Sequence, residues 1–595
     1  MRQKTKRLLC TALAGIMVMG MTGCGSSKNG STEAANTGAA NTSAANTEAA
    51  SKEAGSSSAA ETGSVPTITF YPSAANLSSG VVGGFKGEYF ASRGFALDIW
   101  AYSDEKTNAI LASGDLPDIM FIPENSRDIM IESGMLLNLD DHLKDMPHLQ
   151  AYEPMETALK YIREYKSAGT GSVYALTTDM GDNFARYKTV DSTERNALKL
   201  RWDVYEEIGT PEMNSMDDVL DVMEQMLKAR PTAEDGTPFY GTVLNNGSDS
   251  NYWANMVMWY RMQGYHELQL PYLLESNMAE GTYNSILSKD SMYYKGLKWY
   301  NEAYRRGLMD PESINNDRPT QKIKVDDGYT MIPSGYLPGW GPTYYEYYIP
   351  GTKVYYNYTS TYGKNKFMIG INANTKNLDA CLAFLDMMCD PDAFLNISAG
   401  PEGEFWEADD NGVAGLTEAG LKHLESAGMG DTTNFTLSNG EQMEIWNTPW
   451  VIANGALTSY KDADGNQLCC TTTGWPEVDN FFSQNEAIQN WRKDTGYDNW
   501  KDWLASENAY YNDPDMEDVT SFTSTPDDMM KLTIDAIRDK VVNASWQMVY
   551  AEDDETFNSL WEKMVADCNG LEAQEIIDWR LEDLKNAAAI VELLK

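Results

Sequence analysis

The sequence is poor in the residues that build metal sites and disulfide frameworks. It contains seven cysteines and four histidines in 595 residues. Neither Cys-x-x-Cys nor His-Glu-x-x-His occurs, so we expect no zinc site, and no cofactor is predicted. The cysteines beyond the leader region show no repeating spacing and are odd in number: Cys381, Cys389, Cys469, Cys470 and Cys568. They are predicted to be mostly buried thiols.

The common catalytic motifs are also missing. There is no Gly-x-Ser-x-Gly elbow and no Walker-type phosphate loop, which argues against serine hydrolases of that type and against P-loop NTPases. Glycoside hydrolases stay open at this point, because their two carboxylates have no fixed spacing in the chain.

Positive charge is scarce. The chain has 46 Lys and Arg against 88 Asp and Glu, which gives a formal net charge of −42. Such a surface repels nucleic acid and anionic lipid. It is compatible with a neutral or cationic ligand.

Only the N-terminus carries a long apolar run. A basic start is followed by apolar residues up to Met21-Thr22-Gly23-Cys24, which is the layout of a signal peptide over residues 1–23. The final four residues resemble the bacterial lipobox. That resemblance implies that Cys24 is lipidated with diacylglycerol, for example with palmitate chains, and becomes the mature N-terminus. The alternative is an ordinary signal peptide with a chance cysteine.

The stretch after Cys24 has the composition of a spacer. Residues 25–64 are Gly, Ser, Ala, Asn, Thr and Glu with few other residues, and none is aromatic. Such a segment cannot bury enough apolar surface to fold. We predict a disordered tether over 24–64, and a folded body at the extracytoplasmic face of the bacterial cell membrane.

Strand and helix patterns alternate at the start of this body. Residues 67–71, 96–101 and 119–122 read as strands, with helices at 84–93 and 104–113, the second capped by Asp104 and stopped by Gly114. This alternation predicts an α/β fold with a parallel sheet. Ligands bind beyond the carboxyl ends of such strands. The loops after Tyr71, Tyr102 and Ile122 are therefore candidate ligand loops.

Six motifs in order carry a family resemblance. They lie at residues 110–119, 200–218, 294–311, 328–332, 376–385 and 400–406. Together they resemble the extracellular solute-binding lipoproteins of ABC importers, of the family 1, maltose-binding-protein-like type. The resemblance implies a two-lobed type II fold, each lobe a mostly parallel sheet flanked by helices, with a helical C-terminal extension. Lobe 1 would comprise 65–177 with about 356–396 returning, lobe 2 would comprise 178–355, and the extension 397–595 would lie mostly on lobe 2.

Candidate ligand-binding residues combine aromatic rings with polar turns. Sixteen Trp and 34 Tyr residues suit sugar rings, which stack on flat apolar faces, although most aromatics belong to cores. The candidates are Trp340, Tyr252, Trp253, Trp406, Glu402, Trp475, Asp182 and Asn183. For Glu402 the alternative is a turn-stabilising role, and for Asp182 and Asn183 an ordinary polar turn. Two acidic turns at 409–412 and 462–466 lack the final glutamate of a calcium loop and are expected to be hairpin turns.

These features predict a membrane-anchored, monomeric binding protein. It would capture a carbohydrate, in particular an oligosaccharide, by closing its lobes, and deliver it to the transmembrane subunits of an ABC permease. Three alternatives stay open at this point. The first is a peptide-binding importer component, and the second is a surface-anchored glycoside hydrolase. The third is a sensor or adhesin that has the two-lobed fold but no permease.

Overall fold

The computed structural model describes most of the chain after the predicted tether. The described residues are 65–72, 79–152, 154–178, 197–246, 255–267, 269–333, 344–355, 362–409, 414–427, 435–443, 486–511 and 514–594. Residues Ser64–Lys595 form one compact unit. The leader, the lipidation site Cys24 and the tether lie outside the described residues.

A six-stranded sheet forms the centre of the N-terminal part. Its order is β2-β3-β1-β4-β12-β5. The central strands β3, β1 and β4 run parallel, whereas β2, β12 and β5 pair antiparallel to their neighbours. The strands are β1 Thr67–Tyr71, β2 Gly80–Val81, β3 Ala96–Ile99, β4 Ile119–Pro123, β5 Leu176–Thr178 and β12 Lys364–Ile371. The predicted parallel arrangement therefore holds in the middle of the sheet and ends at its edges.

The central strands are apolar because helices cover them. Ile119, Met120, Phe121 and Ile122 are all buried in β4, as expected for a strand with both faces covered. The helices of this part are α1 Gly84–Ser92, α2 Asp104–Ser113, α3 Glu124–Glu132, α4 Pro147–Ala151, α5 Pro154–Tyr165, α11 Leu378–Met387 and α12 Pro391–Ala399.

The capping residue of α2 differs from the prediction. Ser103, one residue before Asp104, is the N-cap, and its Oγ accepts the Lys106 N–H. A cap needs extended backbone while its side chain reaches back to the first turn, and Ser103 has that extended backbone. Gly114 ends the helix in the left-handed conformation, as predicted.

Asp118 joins three segments of the chain. Its Oδ2 accepts hydrogen bonds from the Thr69 N–H and the Thr69 hydroxyl, both at 2.9 Å, and its Oδ1 accepts the Thr375 hydroxyl at 2.5 Å. Thr69 belongs to β1, Asp118 immediately precedes β4, and Thr375 follows β12. The carboxylate thus fixes the start of β4 against strands before and after it.

The middle of the chain contains two smaller groups of strands. β6 Leu198–Arg201 pairs antiparallel with β10 Tyr344–Tyr347, and β7 Tyr265–His266, β8 Leu274–Asn277 and β9 Thr282–Ser285 form an antiparallel sheet. Parallel bridges also join Tyr240 to Thr330 and Thr242 to Met309. The helices are α6 Trp202–Glu207, α7 Met216–Ala229, α8 Met256–Met262, α9 Met292–Arg305 and α10 Arg318–Asp326. The predicted Ser215 cap of α7 is confirmed, since its Oγ accepts the Asp218 N–H.

The C-terminal part is largely helical. Its long helices pack on α9, where Tyr293 Oη lies 2.9 Å from Ser545 Oγ and Asn301 Nδ2 donates to the carbonyl oxygens of Val549 and Ala551. The helices are α13 Glu418–Ala427, α14 Glu486–Thr495, α15 Trp500–Ser506, α16 Pro514–Ser521, α17 Asp528–Val549, α18 Asp554–Asn569 and α19 Ala573–Leu594. The short strands are β11 Val354–Tyr355, β13 Trp406–Ala408, β14 Ala414–Leu416, β15 Phe435–Thr436, β16 Gln442–Met443 and β17 Tyr510–Tyr511.

Three expectations bear on the whole body. The buried thiols are confirmed for Cys381, Cys389 and Cys568, while Cys469 and Cys470 lie outside the described residues. Within the described ranges, no helix combines the length and hydropathy of a membrane span. Strand β12 comes from the predicted returning segment, but the boundaries of the two lobes and the placement of the extension stay predictions.

We expect Asp118→Ala to lower the free energy of unfolding by about 2–4 kcal/mol, because it leaves charge-assisted hydrogen bonds unmade at a half-buried site. Urea unfolding of both proteins measures the difference. The matched control is Asp115→Ala, an exposed carboxylate in the same turn, which should change stability by less than about 0.5 kcal/mol. Equal effects of the two substitutions would refute the role given to Asp118.

Candidate functional site

Most of the predicted ligand-binding residues cannot be placed. Trp340, Tyr252, Trp253, Trp475, Asp182 and Asn183 lie outside the described residues. Their proposed contacts with a ligand stay predictions.

Trp406 and Glu402 are described, and their contacts are those of a tight turn. The Trp406 side chain is buried at the start of β13, and its Nε1 donates to the Gly400 carbonyl oxygen at 2.7 Å. Glu402 is exposed, and its Oε1 accepts the Ala408 N–H at 3.4 Å. These contacts match the turn-stabilising alternative given for Glu402. A ligand-binding role for either residue stays a prediction.

The carboxyl ends of the central strands bring two of the predicted ligand loops together. Tyr71 is the last residue of β1, and its hydroxyl donates to the Ser103 carbonyl oxygen at 2.8 Å. The same hydroxyl lies 2.8 Å from Thr107 Oγ1 in α2. The loop after β3 is thereby fixed beside the end of β1, as expected for neighbouring parallel strands.

Two aromatic rings, one buried and one half-buried, contact a lysine at this edge. Lys106 Nζ lies 4.8 Å from the centre of the Trp100 ring and 5.6 Å from that of Tyr71. The Tyr71 and Tyr102 rings are 5.8 Å apart. Trp100 and Tyr102 are each partly exposed, as is common for aromatic rings that line ligand sites. Sequence reasoning identified this loop but did not single out Trp100.

A charged cluster follows β4 at the same edge of the sheet. The cluster consists of Glu124 and Arg127 in α3, Lys166 just after α5, and Thr525 from the C-terminal part. Lys166 Nζ and Glu124 Oε1 are 3.7 Å apart, and the Thr525 hydroxyl donates to Glu124 Oε2 at 2.6 Å. We call this set the β4-edge cluster.

The environment of Lys166 disfavours its charge. Burial lowers the pKa of Lys166 to about 8, the neighbouring Glu124 carboxylate opposes that shift, and the charge of Arg127 adds to it. The ammonium also lies 5.7 Å from the centre of the Tyr161 ring. A lysine with a pKa so close to neutrality is typical of a group that a site has partly desolvated.

A group of packed aromatic rings adjoins the β4-edge cluster. Phe522 lies 4.4 Å from Tyr161, 5.1 Å from Tyr362 and 5.9 Å from Tyr165, measured between ring centres. This packing joins α5, the approach to β12 and the C-terminal part. No local pattern predicts it, because the rings come from segments far apart in the chain.

Within the described ranges, no group of three or more His, Cys, Asp or Glu side chains is placed to hold a metal ion. The acidic turn at 462–466 lies outside the described residues, and of the turn at 409–412 only Asp409 is described. The strands on either side of 409–412, β13 and β14, pair antiparallel, which agrees with the predicted hairpin there. The hairpin at 462–466 and the absence of calcium from both turns stay predictions.

The comparisons with known proteins define the class of fold. No family model and no curated protein sequence matches the chain. Many solved structures are similar to it, and three examples match over nearly their whole length. An HMO-binding, ABC-transporter-associated solute-binding protein of Bifidobacterium longum infantis ATCC 15697 is 15% identical, with a TM-score of 0.52 over 88% of this chain and 99% of that chain.

The other two similar structures have the same architecture. An extracellular solute-binding protein of Bifidobacterium longum subsp. infantis is 14% identical, with a TM-score of 0.54 over 87% of this chain and 98% of that one. The Streptococcus pneumoniae ABC-transporter substrate-binding protein FusA, in complex with kestose, is 14% identical, with a TM-score of 0.50 over 87% and 100%.

The chain thus has the two-lobed α/β fold of extracellular solute-binding proteins of ABC transporters, with a helical C-terminal region. The predicted fold class is confirmed. All three of these structures are described as solute-binding or substrate-binding proteins.

We expect Lys166→Met to remove a pH-dependent stability change. Since the pKa of Lys166 is lowered in the folded protein, the unfolded chain holds more protons between pH 8 and about 10.4, and stability rises with pH in that window. The wild type should gain about 1–2 kcal/mol from this group between pH 7.5 and 9.5. Urea unfolding at both pH values measures that gain.

Lys160→Met is the control for this prediction, because the Lys160 side chain is exposed and pairs with Glu156 one turn earlier. It should keep the wild-type difference between the two pH values. A Lys166→Met protein that also keeps it would contradict the assignment.

Proposed function

We propose that this chain is a membrane-anchored, extracytoplasmic solute-binding protein that captures an oligosaccharide and delivers it to an ABC permease. The observation that carries the proposal is the carboxyl edge of the central sheet. There, the partly exposed rings of Trp100 and Tyr102 lie on one loop, and a charged cluster with donors and acceptors follows β4. Flat apolar faces beside polar groups are what a sugar ring needs.

The similar structures support the choice of ligand class. One of them is an HMO-binding protein, and another is in complex with kestose. Both ligands are oligosaccharides, and the aromatic richness of this chain agrees with such a ligand. The large negative charge of the chain favours a neutral ligand over an anionic one.

The mechanism that we propose is binding followed by closure, without chemistry. In a two-lobed protein, a ligand that contacts both lobes stabilises the closed state by its differential affinity for that state. The permease would then recognise the closed form. The lobes are those predicted above, and the ligand-facing residues include the candidates outside the described ranges.

A ligand screen tests the proposal. At 100 times its dissociation constant, a ligand adds about 2.7 kcal/mol to the stability of the folded state, which raises the melting temperature by about 2–3 °C for a body of this size. We expect such a shift with kestose or lacto-N-tetraose, and the glycan should be recovered intact. A shift with peptides alone would refute the sugar assignment, and cleaved glycan would identify an enzyme.

Trp100→Ala should weaken binding of the responding glycan by about tenfold or more, because one stacked face is lost. Titration calorimetry measures the change. Trp503→Ala is the control: this tryptophan is also half-buried but packs on Tyr497 and Trp500 in the C-terminal part. Equal losses in the two variants would remove Trp100 from the site.

Anchoring by Cys24 rests on the lipobox-like sequence alone and has its own test. We expect Cys24→Ser to move the protein from the membrane fraction to the soluble fraction, because two acyl chains are needed for stable attachment. The control Cys10→Ser, within the leader, should leave the protein with the membrane. A Cys24→Ser protein that stays with the membrane after carbonate washing would contradict lipid anchoring.

A further inference from the structure

Arg127 has a buried donor without an acceptor. The residue is 8% exposed, and its Nε donates to Asp128 Oδ1 at 2.9 Å. Its Nη1 is buried and, among the described residues, has no hydrogen-bond partner. Leaving a charged donor in this state costs stability unless something else supplies the acceptor.

The ammonium group of Lys166, in the same cluster, also has too few hydrogen-bond acceptors. Its side chain is 11% exposed, and 3.7 Å separates Nζ from Glu124 Oε1, which exceeds hydrogen-bond length. The other Glu124 oxygen is occupied by the Thr525 hydroxyl. An ammonium has three N–H donors, and the ion pair with Glu124 leaves them poorly satisfied.

The two cations lie where a ligand would bind rather than in the hydrophobic core. Both belong to the β4-edge cluster, at the carboxyl end of β4, where ligands bind in open α/β sheets. Helix α3 begins there with Pro123 as its N-cap and no side-chain cap for its first N–H groups. The unpaired Nη1 of Arg127 does not depend on that uncapped helix start.

The charges of this cluster also specify what fits it. Arg127 and Lys166 lie beside two carboxylates, the half-buried Glu124 of the cluster and the more exposed Asp128 outside it, so these four charges sum to zero. A ligand carboxylate would leave one negative charge in excess at a largely desolvated site, which is costly. It would also offer no donor to Glu124. A sugar hydroxyl is uncharged, accepts from a cation and donates to a carboxylate.

We propose that Arg127 Nη1 and Lys166 Nζ donate hydrogen bonds to hydroxyl oxygens of an uncharged glycan unit, and that Glu124 accepts one in return. This proposal rests on the proposed function and sharpens it to neutral glycans. It assigns a ligand-binding role to three residues that sequence analysis did not select.

The first arm of the test needs no ligand. If Arg127 Nη1 is paired only when a ligand is bound, Arg127→Met removes an unsatisfied donor from the ligand-free protein. The ligand-free variant should therefore keep its melting temperature or gain about 1 °C. The matched control is Arg580→Met. Arg580 is equally buried, but its Nε and Nη1 are bonded to Gln269 and Asp583, both at 2.8 Å. That variant should melt about 3 °C lower.

The second arm measures binding to the purified full-length protein. The probes are lacto-N-tetraose and the same tetrasaccharide carrying one sialic acid. We expect the wild type to bind the neutral form at least tenfold more tightly, and both Arg127→Met and Lys166→Met to lose at least tenfold in affinity for it.

The outcomes separate this proposal from the proposed function. A fall in melting temperature of Arg127→Met as large as that of Arg580→Met would show a structural arginine and overturn the inference. Tighter binding of the sialylated probe would overturn the neutral-glycan specificity. If the wild type binds neither probe nor any other glycan, the proposed function fails, while the ligand-free arm still decides whether Arg127 is a structural residue.

Discussion

The hydrogen bonds accepted by Asp118 are the constraint on which the ligand edge depends. One carboxylate binds the backbone and hydroxyl of Thr69 in β1 and the hydroxyl of Thr375 beyond β12, and so it sets where β4 starts relative to β1. The register Phe70↔Ile119 follows. Because β1 and β4 are held in this register, the side chains that follow each strand reach the same edge of the sheet.

What lies at that edge has a consistent chemistry. Tyr71 fixes the loop of Trp100 and Tyr102 against α2 through a hydroxyl that bonds to Ser103, so the rings are held in place before any ligand arrives. The β4-edge cluster, taken together with Asp128, adds two ion pairs whose charges sum to zero. Fixed rings and balanced donors and acceptors lower the ordering cost of binding a flexible polyol.

Local sequence signals predicted a good part of the fold. The strands at β1, β3 and β4, the Gly114 stop of α2 and the Ser215 cap of α7 follow from residue type and position alone. The cap of α2 was misplaced by one residue, because Ser103 and Asp104 both have capping side chains and only the backbone conformation distinguishes them. The antiparallel insertion of β12 between β4 and β5 is non-local, and only the family resemblance indicated that a later segment returns.

The candidate site was less predictable than the fold. The loops were identified by their place at the carboxyl ends of strands, but Lys166, Arg127 and Phe522 were not. Lys166 and Phe522 reach the edge from segments that are distant in the sequence. No sequence periodicity predicts that a lysine will be buried with too few hydrogen-bond acceptors. Tryptophan content suggested sugar binding, yet Trp406 shows that a tryptophan in a family-like motif can also be held inside a turn by its indole N–H.

The most direct test of the account is a crystal structure of the protein with the neutral glycan that stabilises it most. The account predicts a sugar ring stacked on Trp100 or Tyr102, with hydroxyl oxygens within 3.2 Å of Arg127 Nη1 and Lys166 Nζ. A glycan bound elsewhere, with both cations unchanged and no sugar at the carboxyl edge of the central sheet, would contradict it.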